Sequence, residues 1–362
     1  MTGFTDDQPS AQAMPTDPPD IGAICQHLKL GPKDLPGAVC LPCFPGSGQK
    51  GHRRRGPYGG FLGRSCDPLF TLCKPTFDRE PSPNDYDPVM PMGQPFPPTP
   101  DDLPEMTVNR LDERKSLLTQ LDTVFAESSR SPAVTSMDQV KQKAFSILTS
   151  GRTRDAFDLE QESSGTRDRY GQNLVGSSML IARRLVEAGC SFVTMVMENP
   201  FVSGLKSPKL GFYNWDSHAV NCDLWVDARH RFPVYDKAVT ALIEDLHQRG
   251  LTEKVLLVVT GEFGRSPKIS RADGGSKGLR YGREHWPRAM SVLVCGGGME
   301  HGQVVGSTNA LGEHPHDRPL TPNDLWATIY KHLGIDQNAT IPDHTGRPQF
   351  ILPFGKPIAE LL

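Results

Sequence analysis

The sequence predicts an α/β protein organised around a mainly parallel sheet, and three observations carry that reading. Amphipathic stretches of helix length alternate with short apolar runs from about residue 174 onward. The apolar runs are continuous, as expected of strands covered on both faces, where a half-solvated strand would alternate with polar residues. The helical stretches also close on glycine, at Gly189 and Gly250. A buried sheet between two helical layers satisfies all three.

Composition bounds the rest. At 362 residues and 39.8 kDa the chain is long enough to bury one large core or two modest ones. Thirty-nine basic against 42 acidic side chains leave a formal charge of −3. That balance excludes a nucleic-acid binder working through bulk positive charge and a polybasic membrane-surface protein. No apolar run approaches the ~18 residues a membrane span needs. The first thirty residues are acidic and proline-containing, with no charged-then-apolar signal peptide. Eight cysteines in so long a chain do not make a disulfide scaffold.

Taken in order, the front of the chain is the anomaly. Twenty of its 33 prolines precede residue 105. Residues 1–105 therefore read as an irregular, turn-rich segment, yet Ile21, Ile24, Val39, Leu41, Phe61, Leu69 and Phe70 are too apolar for a solvated tail. The expectation is irregular structure packed on a core supplied by residues 106–362, one domain overall. Helical spacing begins with Leu111, Leu117, Leu118, Leu121 and Phe125, and continues with Val140, Ala144, Phe145 and Leu148. A helix follows over 174–188, then strands over 192–197, 255–260 and 291–295, with a second helix over 234–248 between the first two. Thr321-Pro322 opens a last helix, an N-cap followed by proline at the first helical position.

In open α/β sheets, sites gather beyond the carboxyl ends of the strands. After the strand at 255–260 comes Gly261-Glu262-Phe263-Gly264-Arg265, and before the strand at 291–295 lies Arg283-Glu284-His285-Trp286-Pro287. Upstream, Trp215-Asp216-Ser217-His218 occupies the loop after the strand at 192–197. Together they offer Asp216, His218, Glu262 and His285, a carboxylate and imidazole set that suits Zn²⁺, Mn²⁺ or another divalent ion. Asp216 and His218 are two apart, so in an extended segment both leave on one side. A cation there would polarise an ester oxygen or acidify a bound water. Arg265 and Arg283 would then hold an anionic phosphate or sulfate group as planar forks.

Other features read as structural. Trp215 and Trp286 are expected at the rim of the core, and His314 and His316 in a surface proline turn. Cys40 and Cys43 form a C-x-x-C, but Cys66 and Cys73 are too loosely spaced to complete a zinc knuckle. Gly296-Gly297-Gly298 lacks the dinucleotide fingerprint and reads as a turn. No nucleophile elbow or Walker loop is present.

The sequence resembles the bacterial family called domain of unknown function 1501, a sulfatase-like branch of the alkaline phosphatase superfamily. The segments that carry the resemblance are Ala156-Phe157-Asp158-Leu159, Arg167-Asp168-Arg169-Tyr170-Gly171, Ala182 to Gly189, Trp215-Asp216-Ser217-His218, Gly261 to Arg265, Arg283 to Pro287, Thr321 to Leu325 and Gly355-Lys356-Pro357-Ile358. It implies an alkaline-phosphatase-like three-layer sandwich with a divalent metal (Zn, Mn or Ca) at the sheet's carboxyl edge. One metal of that superfamily is held by an Asp and two His, by position Asp216, His218 and His285. A second usually takes an Asp-His pair, where this chain reads Glu262-Phe263, with Glu262 left to support the same or a neighbouring ion.

The resemblance also implies a small anionic ester as substrate and a periplasmic or cell-envelope location. This chain opens at Met1-Thr2-Gly3-Phe4 without the family's secretion signal, or the first strand and following loop that would bring the nucleophile. The expectation is thus an N-terminally truncated, impaired ester hydrolase, cytoplasmic if its start is correct. The alternative is a non-catalytic, envelope-associated binding or scaffolding protein that retains the fold.

Overall fold

The proline-rich front of the chain supplies an α-helix and four strands of the molecule. The computed structural model describes residues 13–42, 56–76, 90–97, 150–197, 215–220, 222–273 and 278–362. Helix α1 (Ile21–His27) opens at Asp20, whose carboxylate accepts from the Ala23 N–H at 2.8 Å. Strand β1 (Ala38–Leu41) follows and is buried at every position. It lies between β2 (Leu69–Phe70) and β5 (Phe192–Met195) and is parallel to both, with Val39 opposite Leu69 on one side and Val193 on the other. Residues 1–105, expected as an irregular segment packed on the core, thus also contribute regular elements. The run Ala-Val-Cys-Leu is only four residues long, and Pro36 and Pro42 flank it without interrupting its hydrogen-bond ladder. Strands β3 (Leu72–Thr76) and β4 (Met90–Phe96) add an antiparallel pair from the same region. The helices expected at 109–125 and 140–148 lie outside the described residues, as does Cys43.

Six α-helices are present among the described residues. After α2 (Gly151–Phe157) and α3 (Ser164–Tyr170), helix α4 (Leu174–Ala188) has the limits its pattern predicts. Asn173 caps its first turn, and Gly189 adopts the left-handed conformation at φ 108° that ends it. Helix α5 (Leu224–Gln248) starts at Leu224, upstream of the expected Val234, and runs through Pro233. Proline ordinarily marks a first turn, which is why the pattern places the start there. The upstream half is held by the Asp223 cap and by an Asp227–Arg231 ion pair at 2.8 Å, both side chains nearly fully buried.

Strand β6 (Leu256–Val259) pairs with β11 (Leu293–Gly296) in the antiparallel sense, Leu293 opposite Val259. Among the described residues parallel pairing is therefore confined to β2–β1–β5, and they do not form a mainly parallel sheet. The reason is the connection. Between β6 and β11 the chain makes no helical crossover among the described residues. It doubles back through the antiparallel pairs β7 (Gly264–Arg265) with β10 (His285–Trp286) and β8 (Ser270–Asp273) with β9 (Leu279–Gly282). Two further short pairs, β12 (Ser307–Thr308) with β13 (Pro315–Asp317) and β14 (Thr340–Pro342) with β15 (Pro348–Phe350), are also antiparallel.

The strands divide two apolar cores. Val39 and Leu41 of β1 pack with Leu180, Ile181 and Leu185 of α4 and with Val239, Leu242 and Leu246 of α5. On the other side Ile24 of α1 meets Leu325 and Ile329 of α6 (Pro322–His332) together with Ile351. Successive residues of β6 serve both: Leu257 and Val259 face the first core, Leu256 and Val258 the second. Helix α6 begins as predicted, with Thr321 and Asp324 forming a reciprocal capping box and proline at its start.

Candidate metal centre

The loop from Trp215 to Ala219 is non-helical and precedes α5, while β7 and β10 pair directly with each other in the antiparallel sense. Register places His285 opposite Arg265. The Arg283 N–H donates to the Ser217 carbonyl at 2.9 Å, stapling the loop to the strand that carries His285. Gly282 makes this approach possible. A Cβ there would lie 2.1 Å from the Ala219 nitrogen and 2.5 Å from the Ser217 carbonyl oxygen. Gly264 is equally confined, since its Cβ would fall 1.9 Å from the Ala289 carbonyl oxygen.

These constraints bring Asp216, His218 and His285 together, with one ligand atom from each within 4.8 Å of the others. Nδ1 of His218 is in direct hydrogen-bonding contact with Oδ1 of Asp216. Nε2 of His285 lies 3.7 Å from the same oxygen, and the two imidazole rings are 4.5 Å apart between centroids. Two atoms bound to one ion at ~2.1 Å are at most ~4.2 Å apart. Small side-chain rotations therefore place this set around one cation, and a carboxylate with two imidazoles is a donor set that Zn²⁺ or Mn²⁺ takes. Burial pushes the Asp216 carboxyl upward, but the Arg265 guanidinium and the His218 ring more than offset this and hold it below the usual carboxylate range.

Glu262 is not one of the converging groups; its side chain is exposed after the end of β6. Arg265 and Arg283 reach the centre as structural donors. Arg265 Nη2 donates to Asp216 Oδ1 at 3.1 Å and to the Trp215 carbonyl at 3.0 Å, and its Nη1 donates to the Arg283 carbonyl at 3.3 Å. Arg283 Nη1 donates to the Ser266 carbonyl at 2.9 Å. Glu284, which was not a sequence candidate, is at the centre with Oε2 3.3 Å from His218 Nε2. Its one signal was its place beside His285.

Apolar rings wall the centre. Phe263 packs against His285 at 4.4 Å between centroids. Trp215 stacks on Phe232 at 6.0 Å beneath the Arg231 guanidinium, and Trp286 donates from Nε1 to the Glu313 carbonyl at 2.7 Å. Both tryptophans are partly buried packing groups, as expected, and His314 and His316 are exposed.

Fold and site together define a mixed α/β protein whose loops gather a candidate Asp-His-His cation centre. The family model described as Protein of unknown function (DUF1501) matches residues 1–362, and the chain belongs to that family. No curated protein and no solved structure matches it. Among the described residues, no helix is long and apolar enough to cross a membrane.

Proposed function

We propose that this protein is a metal-dependent ester hydrolase of the alkaline phosphatase and sulfatase type, acting on phosphate or sulfate monoesters. In this reading residues 1–105 and 106–362 form one domain, an α/β sandwich of that superfamily. One observation carries the proposal: Asp216, His218 and His285, from segments far apart in sequence, offer ligand atoms within 4.8 Å of each other. A divalent cation bound there supplies Lewis acidity toward an anionic ester oxygen. Asp216 and the two imidazoles bind it. Arg265 fixes the Asp216 carboxylate and adds positive charge beside the place an anionic ester occupies. Arg283 holds the Ser217 loop and the Ser266 carbonyl so that the donors stay aimed at one point.

A second reading, a non-catalytic envelope-associated binding or scaffolding protein, is favoured by Phe263. Its ring packs against His285 where the superfamily's second metal would find an imidazole. Hydrolysis of p-nitrophenyl phosphate and p-nitrophenyl sulfate, assayed with Zn²⁺, Mn²⁺ or Ca²⁺ and after chelation, separates the two. Turnover that needs metal and disappears in Asp216→Asn and His285→Ala supports the hydrolase. Stoichiometric metal binding with no turnover of either ester supports the second reading, and absence of both overturns the hydrolase.

A further inference from the structure

We propose that Glu284 is a positioning residue that sets the tautomer of His218, so that His218 meets the cation through Nδ1 while His285 meets it through Nε2. The inference rests on the metal reading above and adds a residue and an atom-level orientation to it. The His218 ring lies between two carboxylates. Its Nδ1 contacts Asp216 Oδ1, and its Nε2 is 3.3 Å from Glu284 Oε2. The other imidazole approaches the first of these, with His285 Nε2 3.7 Å from Asp216 Oδ1. The point shared by all three ligands is thus on the Nδ1 side of His218. An ion on the opposite side would meet Nε2 and Glu284 but have the imidazole ring between it and Asp216.

A neutral imidazole carries one N–H, and the nitrogen that binds a cation must present its lone pair. With Nδ1 turned to the cation, the proton resides on Nε2, and the acceptor facing Nε2 is Glu284. A carboxylate on the outer nitrogen of a ligating histidine fixes ring orientation and raises its basicity. Glu284 is itself held for this task. Ser270 Oγ on β8 hydrogen-bonds to its Oε1 at 2.9 Å, its N–H donates to Ser266 Oγ at 3.0 Å, and its carbonyl accepts from the Ser266 N–H at 2.9 Å. The His218 side chain is only 17% exposed, so water competes weakly for Nε2. The Glu284 side chain is 57% exposed, so it reaches His218 from the solvent side.

The test is calorimetric titration of Zn²⁺ into the wild type, Glu284→Ala, Glu284→Gln, Asp216→Ala and Glu262→Ala, joined to ¹⁵N NMR of histidine-labelled, Zn²⁺-loaded protein. Expected are a ~10–100-fold weaker affinity for Glu284→Ala, a smaller loss for Glu284→Gln, which keeps an acceptor oxygen, and no change for Glu262→Ala. In the loaded wild type, His218 shows a protonated Nε2 and a coordinated Nδ1. Wild-type affinity in Glu284→Ala, or His218 coordinated through Nε2, overturns the inference and leaves the metal reading standing. A wild type that binds no Zn²⁺, or binds it as tightly after Asp216→Ala, overturns both.

Discussion

Asp216 is bound on several sides at once, by His218, by Arg265 and through the loop that Arg283 staples down. Its place in the cluster was legible in the sequence because the two-residue spacing to His218 and the position in a loop after a strand point the same way. Glu262 is a candidate in the sequence for its position directly after a strand. The chain leaves β6 with Gly261 and Glu262 exposed, so the carboxylate stays in solvent while the next residues turn back toward His285. Position after a strand does not by itself say which way a side chain faces, and Glu284, which precedes a strand, is marked in the sequence only by its place beside His285.

Another buried carboxyl group carries a prediction of its own. Burial pushes the Asp20 carboxyl, at the start of α1, up to about 6, against the bonds it accepts from the Ala23 and Gly22 backbone. Its folded value lies above the unfolded one of ~3.9, so its contribution to stability is greatest below pH ~4 and declines as pH rises through about 6. Asp20→Asn keeps the capping oxygen and removes the ionisation. Thermal melts should show the variant gaining on the wild type between pH 4 and pH 8, by on the order of 2–3 kcal/mol. A difference that is flat with pH would contradict the burial account.

At the scale of elements, legibility followed the strength of local punctuation. Helix α4 has an Asn173 cap, an unbroken apolar stripe and a terminal glycine, and its limits were predicted to the residue. The sequence pattern shortens helix α5 because Pro233 imitates a first-turn proline, while the true cap, Asp223, precedes a charged stretch with no clean stripe. Strand β1 was hidden by its length and by flanking prolines, although it is the most thoroughly buried strand of its sheet. The pairing of β9 and β10 against the 215–219 loop depends on Gly282. In Gly282→Ala the added methyl must displace backbone atoms at Ala219 and Ser217. Zn²⁺ affinity should fall roughly tenfold or more, while Gly151→Ala, at a position with open space around it, leaves affinity unchanged. Equal affinities in the two variants would show that the close approach does not position the ligands.

For the molecule as a whole, the α/β class was legible in the alternation of apolar runs and helices, and the direction of strand pairing was not. Direction depends on whether a connection crosses over or doubles back, and the hairpins between β6 and β11 are too short to leave a helical or hairpin pattern in sequence. Of the three strands expected to be covered on both faces, β5 and β6 are half-buried at each position and β11 begins with an exposed Leu293, while β1 is the strand enclosed by neighbours on both edges. The helices behind the sheet are tied by charge as well as packing. Arg183, about 1% exposed, pairs with Glu162 at 2.8 Å, Glu187 at 2.7 Å and Asp245 at 3.0 Å, joining α4 to α5. Burial acts to raise the Glu162 and Asp245 carboxyls, and their arginine and tyrosine partners hold both below the ordinary range. These ion pairs join the helices that pack on β1, β5 and β6, while the loops beyond carry Asp216, His218 and His285.

That division between a packed frame and three converging side chains is most directly tested by a crystal structure of the protein loaded with Mn²⁺, read from anomalous scattering. The account predicts one strong peak bounded by Asp216, His218 Nδ1 and His285 Nε2, with Glu284 on the far nitrogen of His218. Saturating Mn²⁺ with no peak among those three side chains, or an ordered peak elsewhere, would contradict it.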